Sequence, residues 1–131
     1  MIVTVDPTSS VPLYRQLKTA QVAGILSGEL SEGESLRSMR ELAGELGINL
    51  HTVRKVYGIL ADEGYITISR NRGAIVNALP KMQTDELQSF REQLLPIVIE
   101  LRARGIDRTS YDRLMGMLWD ESVKEGVRDG S

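Results

Sequence analysis

"ELAGELGINLHTVRKVYGILADEGYI", residues 41–66, carries two helical patterns separated at Gly47. In the first, Met39, Leu42, Ala43 and Leu46 form an apolar stripe that begins just after Ser38, a good N-cap. Glu41, three residues beyond Ser38, completes a capping box. In the second, Asn49 is an N-cap residue and Val53, Val56, Tyr57 and Leu60 recur at helical spacing. A small residue at Ala43 lets a second helix cross closely, Gly47 suits a left-handed turn, and the valines pack back on the first helix. That is the spacing of a helix-turn-helix. With the seam inward, Asn49, Leu50, His51, Thr52, Arg54 and Lys55 fall on the first turn and outer faces. This is the end of a recognition helix that enters the major groove. The bland alternative is an ordinary helical hairpin in a core.

Downstream, "YITISRNRGAIVNAL" alternates and then turns at "RNRG", which predicts a two-stranded hairpin with a basic tip. Strand-turn-strand after a recognition helix makes a winged helix. Arg70 and Arg72 flank Asn71, with Gly73 following. Such a tip can lie along phosphates or enter a narrow minor groove, where negative potential favours arginine. Taken alone it would be an ordinary solvated turn.

Upstream, "MIVTV" predicts a strand and "DPTSSVP" a turn. Pro12 starts a first helix expected over residues 12 to 28, with Ser9 and Ser10 near its cap and Leu13, Leu17, Ala20, Gly24 and Ile25 inward. "SGELSEGES" closes it. Beyond the hairpin, "ALPKMQTD" is a linker, with Thr84 or Asp85 placed to cap the next helix. Leu87, Phe90, Leu94, Ile97, Val98 and Leu101 line that long helix, which Pro96 should kink or locally break. A shorter helix carrying Tyr111, Leu114, Met115 and Leu118 comes last, capped by Asp107 or Thr109, with a frayed tail "VKEGVRDGS".

Composition narrows the functional classes. The 131 residues are 41% apolar and 26% charged, typical of a globular chain. With no cysteine and one histidine, a thiol nucleophile is excluded and little remains for a zinc or His-based catalytic site. No phosphate loop or nucleophile–base pair is present, so the chain is expected not to be an enzyme and to need no cofactor or metal. No run spans a bilayer and no signal peptide opens the chain, which points to the cytoplasm. The net charge of −2 gives no overall basic footprint, so affinity for DNA must come from local arginines and lysines.

Residues 12–76 resemble the winged-helix domain of GntR-type bacterial transcription regulators, through "PLYRQL", "GEL..GE.L.S.RELA..LG", "TVRK.Y..L...GYI" and "R.RG" in order. The N-terminal stretch and short helical C-terminal piece are similar to the YtrA-like subfamily. The resemblance implies a homodimeric repressor on a palindromic operator of double-stranded DNA, released by a small effector. It implies DNA contacts by Ser38, Arg40, Asn49, His51, Thr52, Arg54, Arg70, Arg72 and Gly73. Ser38 can also be a cap only, and Arg40 a partner for a carboxylate. Two departures stand out. Leu50 replaces an arginine common in the family, and is left either to a thymine methyl or to packing on the second helix. Arg37 stands where proline is usual, and adds a phosphate contact.

The expected class is therefore α+β: a winged helix-turn-helix domain over residues 1–79, then a short two-helix dimerisation hairpin over 80–131. A two-helix hairpin cannot bury both of its stripes alone. Leu94, Ile97, Val98 and Leu101, with Tyr111, Leu114, Met115 and Leu118, are expected to meet the same piece of a second chain. The alternative is packing on the chain's own winged domain. Arg102, Arg104, Arg108 and Arg113 near the turn are either an anionic ligand site or a solvated face. An effector would bind at the dimer interface or between domains. The rival function is a winged-helix protein-interaction module without specific DNA binding.

Overall fold

The computed structural model describes residues 5–127. The chain divides into two compact units, Met1–Pro80 with Ser122–Ser131, and Lys81–Glu121. The elements run α1 (Leu13–Ser27), α2 (Met39–Leu46), α3 (Leu50–Asp62), β1 (Ile66–Ser69), β2 (Gly73–Val76), α4 (Thr84–Ala103) and α5 (Arg108–Val127). The strand expected at "MIVTV" falls on residues 1–4, outside the described residues, and Val5 is not in a strand.

In the first unit α3 is the central element, packed on α1, α2 and β1. Its Val53, Val56, Tyr57 and Leu60 are buried together with Leu17, Leu42, Ala43, Ile66 and Ala74. Each large apolar side chain among them contributes about 1.5–3 kcal/mol by leaving water. Gly47 closes α2 at φ 67°, a left-handed position that a Cβ would strain. The chain can then reverse into Asn49, whose side chain accepts from the His51 N–H at 2.8 Å. β1 and β2 pair antiparallel, with Ile66 opposite Val76 and Ser69 opposite Gly73. The loop after α1 adds an edge that the sequence did not announce. The Leu36 N–H donates to the Ala74 carbonyl at 2.8 Å, the Val76 N–H donates to the Glu34 carbonyl at 2.9 Å, and Ser35 bridges Ile75.

Two details of α1 differ from expectation. Pro12 is itself the N-cap, and neither Ser9 nor Ser10 caps the helix. The Gln16 side chain ties down the preceding turn instead, accepting from the Asp6 N–H at 2.7 Å and donating to the Val11 carbonyl at 2.7 Å. Gln21 and Ala23, outside the expected stripe, are also buried.

In the second unit α4 begins after Gln83, ahead of the expected cap. The Glu86 carboxylate accepts from the Gln83 N–H at 2.8 Å, so Thr84 is already helical. The helix continues through Pro96 to Ala103, with one backbone rung missing because proline has no N–H. Asp107 caps the next helix, accepting from the Ser110 N–H at 2.8 Å. Hydrogen bonds from Ser110 hold the Asp107 carboxyl below the usual carboxylate range. α5 is not the shorter partner expected. It has 20 residues, as many as α4, and it carries the start of the supposedly frayed tail as far as Val127. Residues 128–131 lie outside the described residues.

Candidate nucleic-acid interface

The candidate interface is built from three short pieces of the winged unit: the start of α2, the start of α3, and the hairpin tip. At α2 the Ser38 hydroxyl oxygen accepts from the Glu41 N–H at 3.1 Å, and the Glu41 carboxylate accepts from the Ser38 N–H at 3.4 Å. Ser38 is therefore a cap, and its hydroxyl proton remains available to an outside acceptor. Arg40, on the first turn, is exposed and has no ion pair among the described residues, so the carboxylate-partner reading does not hold. Just before the cap, Arg37 has an exposed guanidinium that pairs with Glu45. Its carbonyl accepts a 2.6 Å bond from the Tyr57 hydroxyl, which ties α3 to the entry of α2. Burial pushes the Tyr57 phenol up to about 12, with Arg37 opposing and Glu41 reinforcing the shift.

At α3, His51, Arg54 and Lys55 are exposed together with Asn49, whereas Thr52 is half-buried. Leu50 is half-buried against the core, which favours the packing reading over a thymine contact. The Lys55 ammonium lies 3.9 Å from the centroid of the Tyr14 ring, a cation–π contact that ties it back to α1.

The wing tip is a three-residue loop, Arg70, Asn71 and Arg72, all exposed. Gly73 follows at φ 73°, where a side chain would be strained; this fits a three-residue hairpin loop closed by glycine. The Ser69 hydroxyl oxygen accepts from the N–H groups of Asn71 and Arg72, each at 3.3 Å. The Ser35 hydroxyl donates to the Arg72 carbonyl at 3.3 Å, fixing the tip to the loop after α1. Neither Ser69 nor Ser35 is among the wing residues expected from sequence. A serine two and three residues ahead of the tip amides is a local turn signal that could have found Ser69. Nothing local marks Ser35.

The helical unit presents a different surface. No residue of α4 is buried. Leu94 and Ile97 are more than half exposed and Leu118 nearly so, while Val98, Leu101, Tyr111, Leu114 and Met115 are half-buried. Exposed Leu95, Ile99 and Met117 widen the apolar surface beyond the expected stripe. Of the four arginines near the turn, Arg104 pairs with Glu100 at 3.7 Å and Arg108 with Asp112 at 2.8 Å. Arg102 and Arg108 line an open cavity of about 510 Å³ with Val98, Ile106, Asp107 and Tyr111.

Residues 13–76 match the family of bacterial regulatory proteins called the gntR family. The chain is 32% identical to the HTH-type transcriptional repressor YtrA of Bacillus subtilis (strain 168), over 98% of its own length and 97% of that protein's. The chain belongs to the gntR family. A gntR-family chain of this build is a DNA-binding transcription regulator and not an enzyme. The DNA-binding domain of AraR, solved in complex with operator ORX1, is 27% identical, with a TM-score of 0.51 over 56% of this chain and 90% of that one. A transcriptional antiterminator of Listeria monocytogenes EGD-e shares the fold, with a TM-score of 0.87 at 23% identity over 94% of this chain and 93% of that one. The family match falls wholly within the winged unit. Among the chain's described residues no helix is long and apolar enough to cross a membrane.

Proposed function

We propose that this chain is a repressor that binds a palindromic operator as a homodimer, with α3 in the major groove and the wing at the adjacent minor groove. The observation that carries this reading is the exposed polar first turn of α3, backed by a fully buried seam. In this reading Arg54 and Arg40 contact bases or the phosphates beside them, and a bidentate arginine on guanine contributes about 1–3 kcal/mol of discrimination. Asn49, His51 and Thr52 line the same edge, Ser38 donates its hydroxyl to a phosphate, and Arg70, Arg72 and Gly73 form the minor-groove or phosphate contact. Leu50 supports the helix from behind, and Lys55 contributes through its charge while resting on Tyr14. Residues 1–79 form the DNA-binding domain and 80–131 the dimerisation region.

Dimerisation is assigned to α4 and α5 because their apolar residues stay exposed in the single chain. Pairing through a twofold axis covers Leu94, Ile97, Val98 and Leu101 with Tyr111, Leu114, Met115 and Leu118, and it spaces two recognition helices for two half-sites. A small effector that releases the operator would act through this same interface. The protein works in the cytoplasm, where its operator is.

Titration of fluorescent duplex from upstream of the chain's own gene, beside a scrambled duplex, at several salt concentrations tests the reading. The expected result is preference for the upstream duplex and a steep fall of log affinity with log salt. Equal affinity for both would place the operator elsewhere. Binding to neither at low salt would overturn the reading in favour of a protein-interaction module.

A further inference from the structure

We propose that Glu45 restrains Arg37, its carboxylate acting as an internal stand-in for a DNA phosphate that the duplex must displace. This inference rests on the reading of the α2–α3 edge as the DNA-binding face. With the Leu36 N–H donating to the Ala74 carbonyl at 2.8 Å, the backbone is pinned ahead of Arg37 as well as behind it. The Tyr57 hydroxyl donates to its carbonyl at 2.6 Å, and the next residue, Ser38, is locked into the capping box with Glu41. The guanidinium can therefore change partner only by rotating its own side chain. Its present partner, Glu45, lies near the end of α2, and both side chains are about half exposed, at 53% and 49%.

An ion pair so open to water is weak and exchangeable, unlike a buried pair whose rupture would disturb the fold. A phosphate offers the guanidinium the same forked, charge-assisted contact as a carboxylate, and it also releases counterions. The carboxylate of Glu41 is engaged by the Ser38 N–H and does not compete in the same way. When Arg37 turns to a phosphate, Glu45 is left unpaired beside a polyanion. In a chain with a net charge of −2, one such carboxylate at the contact edge is a real opposing force. Glu45 is thus a positioning residue that weakens phosphate capture by Arg37 and limits binding to DNA at large.

The test is a double-mutant cycle with wild type, Glu45→Gln, Arg37→Ala and the double variant, read by fluorescence anisotropy on a mixed-sequence duplex across salt concentrations. Glu45→Gln should tighten binding by about two- to fivefold at low salt, the range set by an exposed ion pair. Its log–log salt slope should change by less than one phosphate's worth, since Arg37 reaches the same phosphate in both proteins, whereas Arg37→Ala should flatten the slope by about one. In the Arg37→Ala background Glu45→Gln should give no such gain in affinity. Unchanged or weaker binding by Glu45→Gln would overturn the proposal, showing that the carboxylate is inert or supports Arg37 in its contact. A gain that persists without Arg37 would overturn it too, since that is a general charge effect. If wild type binds no duplex at low salt, the DNA-binding reading of this face fails first and the proposal falls with it. Circular dichroism of all four proteins, expected to be the same, shows that each is folded.

Discussion

α3 and α4 are both amphipathic helices, yet they end in opposite situations. α3 has 13 residues and buries four of them completely or nearly so, while α4 has 20 residues and buries none. The difference lies in what each helix finds around it. α3 is enclosed by α1, α2 and β1, so its stripe is satisfied within the chain. Within its own unit α4 has only α5, a helix of equal length against which it does not pack along its length, and two helices cannot enclose a core. An apolar stripe reports that a helix needs a partner, and the number of surrounding elements decides whether that partner is intramolecular.

Substitutions in the two units probe this contrast. Leu60 is fully buried, so Leu60→Ala should cost about 2–5 kcal/mol in urea unfolding of the winged unit. A loss below about 1 kcal/mol would mean that the seam behind α3 is not the core described here. The next effect is alkaline. The Tyr57 phenol is raised to about 12 by burial, from an ordinary value of 10.0, so the folded state favours its protonated form. Its contribution is complete below pH 10 and is lost as pH climbs toward 12, because the unfolded chain ionises first. At about 1.36 kcal/mol per unit, the loss approaches about 3 kcal/mol. Tyr57→Phe should remove this alkaline limb while giving up the bond to the Arg37 carbonyl. The smallest effect on the winged unit is expected at Ile97, which is 56% exposed. Ile97→Glu should leave unfolding of that unit within about 0.5 kcal/mol of wild type. It should nevertheless convert dimer to monomer in sedimentation velocity. Retention of the dimer would refute the assignment of α4 to self-association.

The range of each interaction decides how much of this was legible in the sequence. The capping box at Ser38 and Glu41, the turn at Gly47, and the stripe from Val53 to Leu60 are local, and each was readable. The edge at Gly33–Leu36 was not, because that segment has no alternation and its partner Ile75 lies far along the chain. The misplaced caps have a similar cause. Ser9, Ser10 and Thr84 are good capping types, but Gln16 fixes the turn ahead of α1 and Glu86 holds the Gln83 N–H, so both helices start at other residues. In the candidate interface, the exposed first turn of α3 and the basic wing tip could be read from periodicity and turn chemistry. The contacts that occupy two of its cations could not, because Arg37 meets Glu45 through the path by which the chain enters α2, and Lys55 meets Tyr14 only when α3 packs on α1. The length of α5 was missed because its polar end carries little apolar periodicity.

Everything proposed for the winged unit depends on the exposed start of α3 reading sequence. The decisive experiment is the ratio of affinities for upstream and scrambled duplex, compared between wild type and Arg54→Ala at fixed salt. Loss of a base-reading arginine should shrink that ratio by about 1–3 kcal/mol, roughly five- to more than a hundredfold, and leave the fold intact. An undiminished ratio, with both affinities reduced equally, would show that Arg54 only anchors phosphate and would contradict the assignment of α3 as the reader.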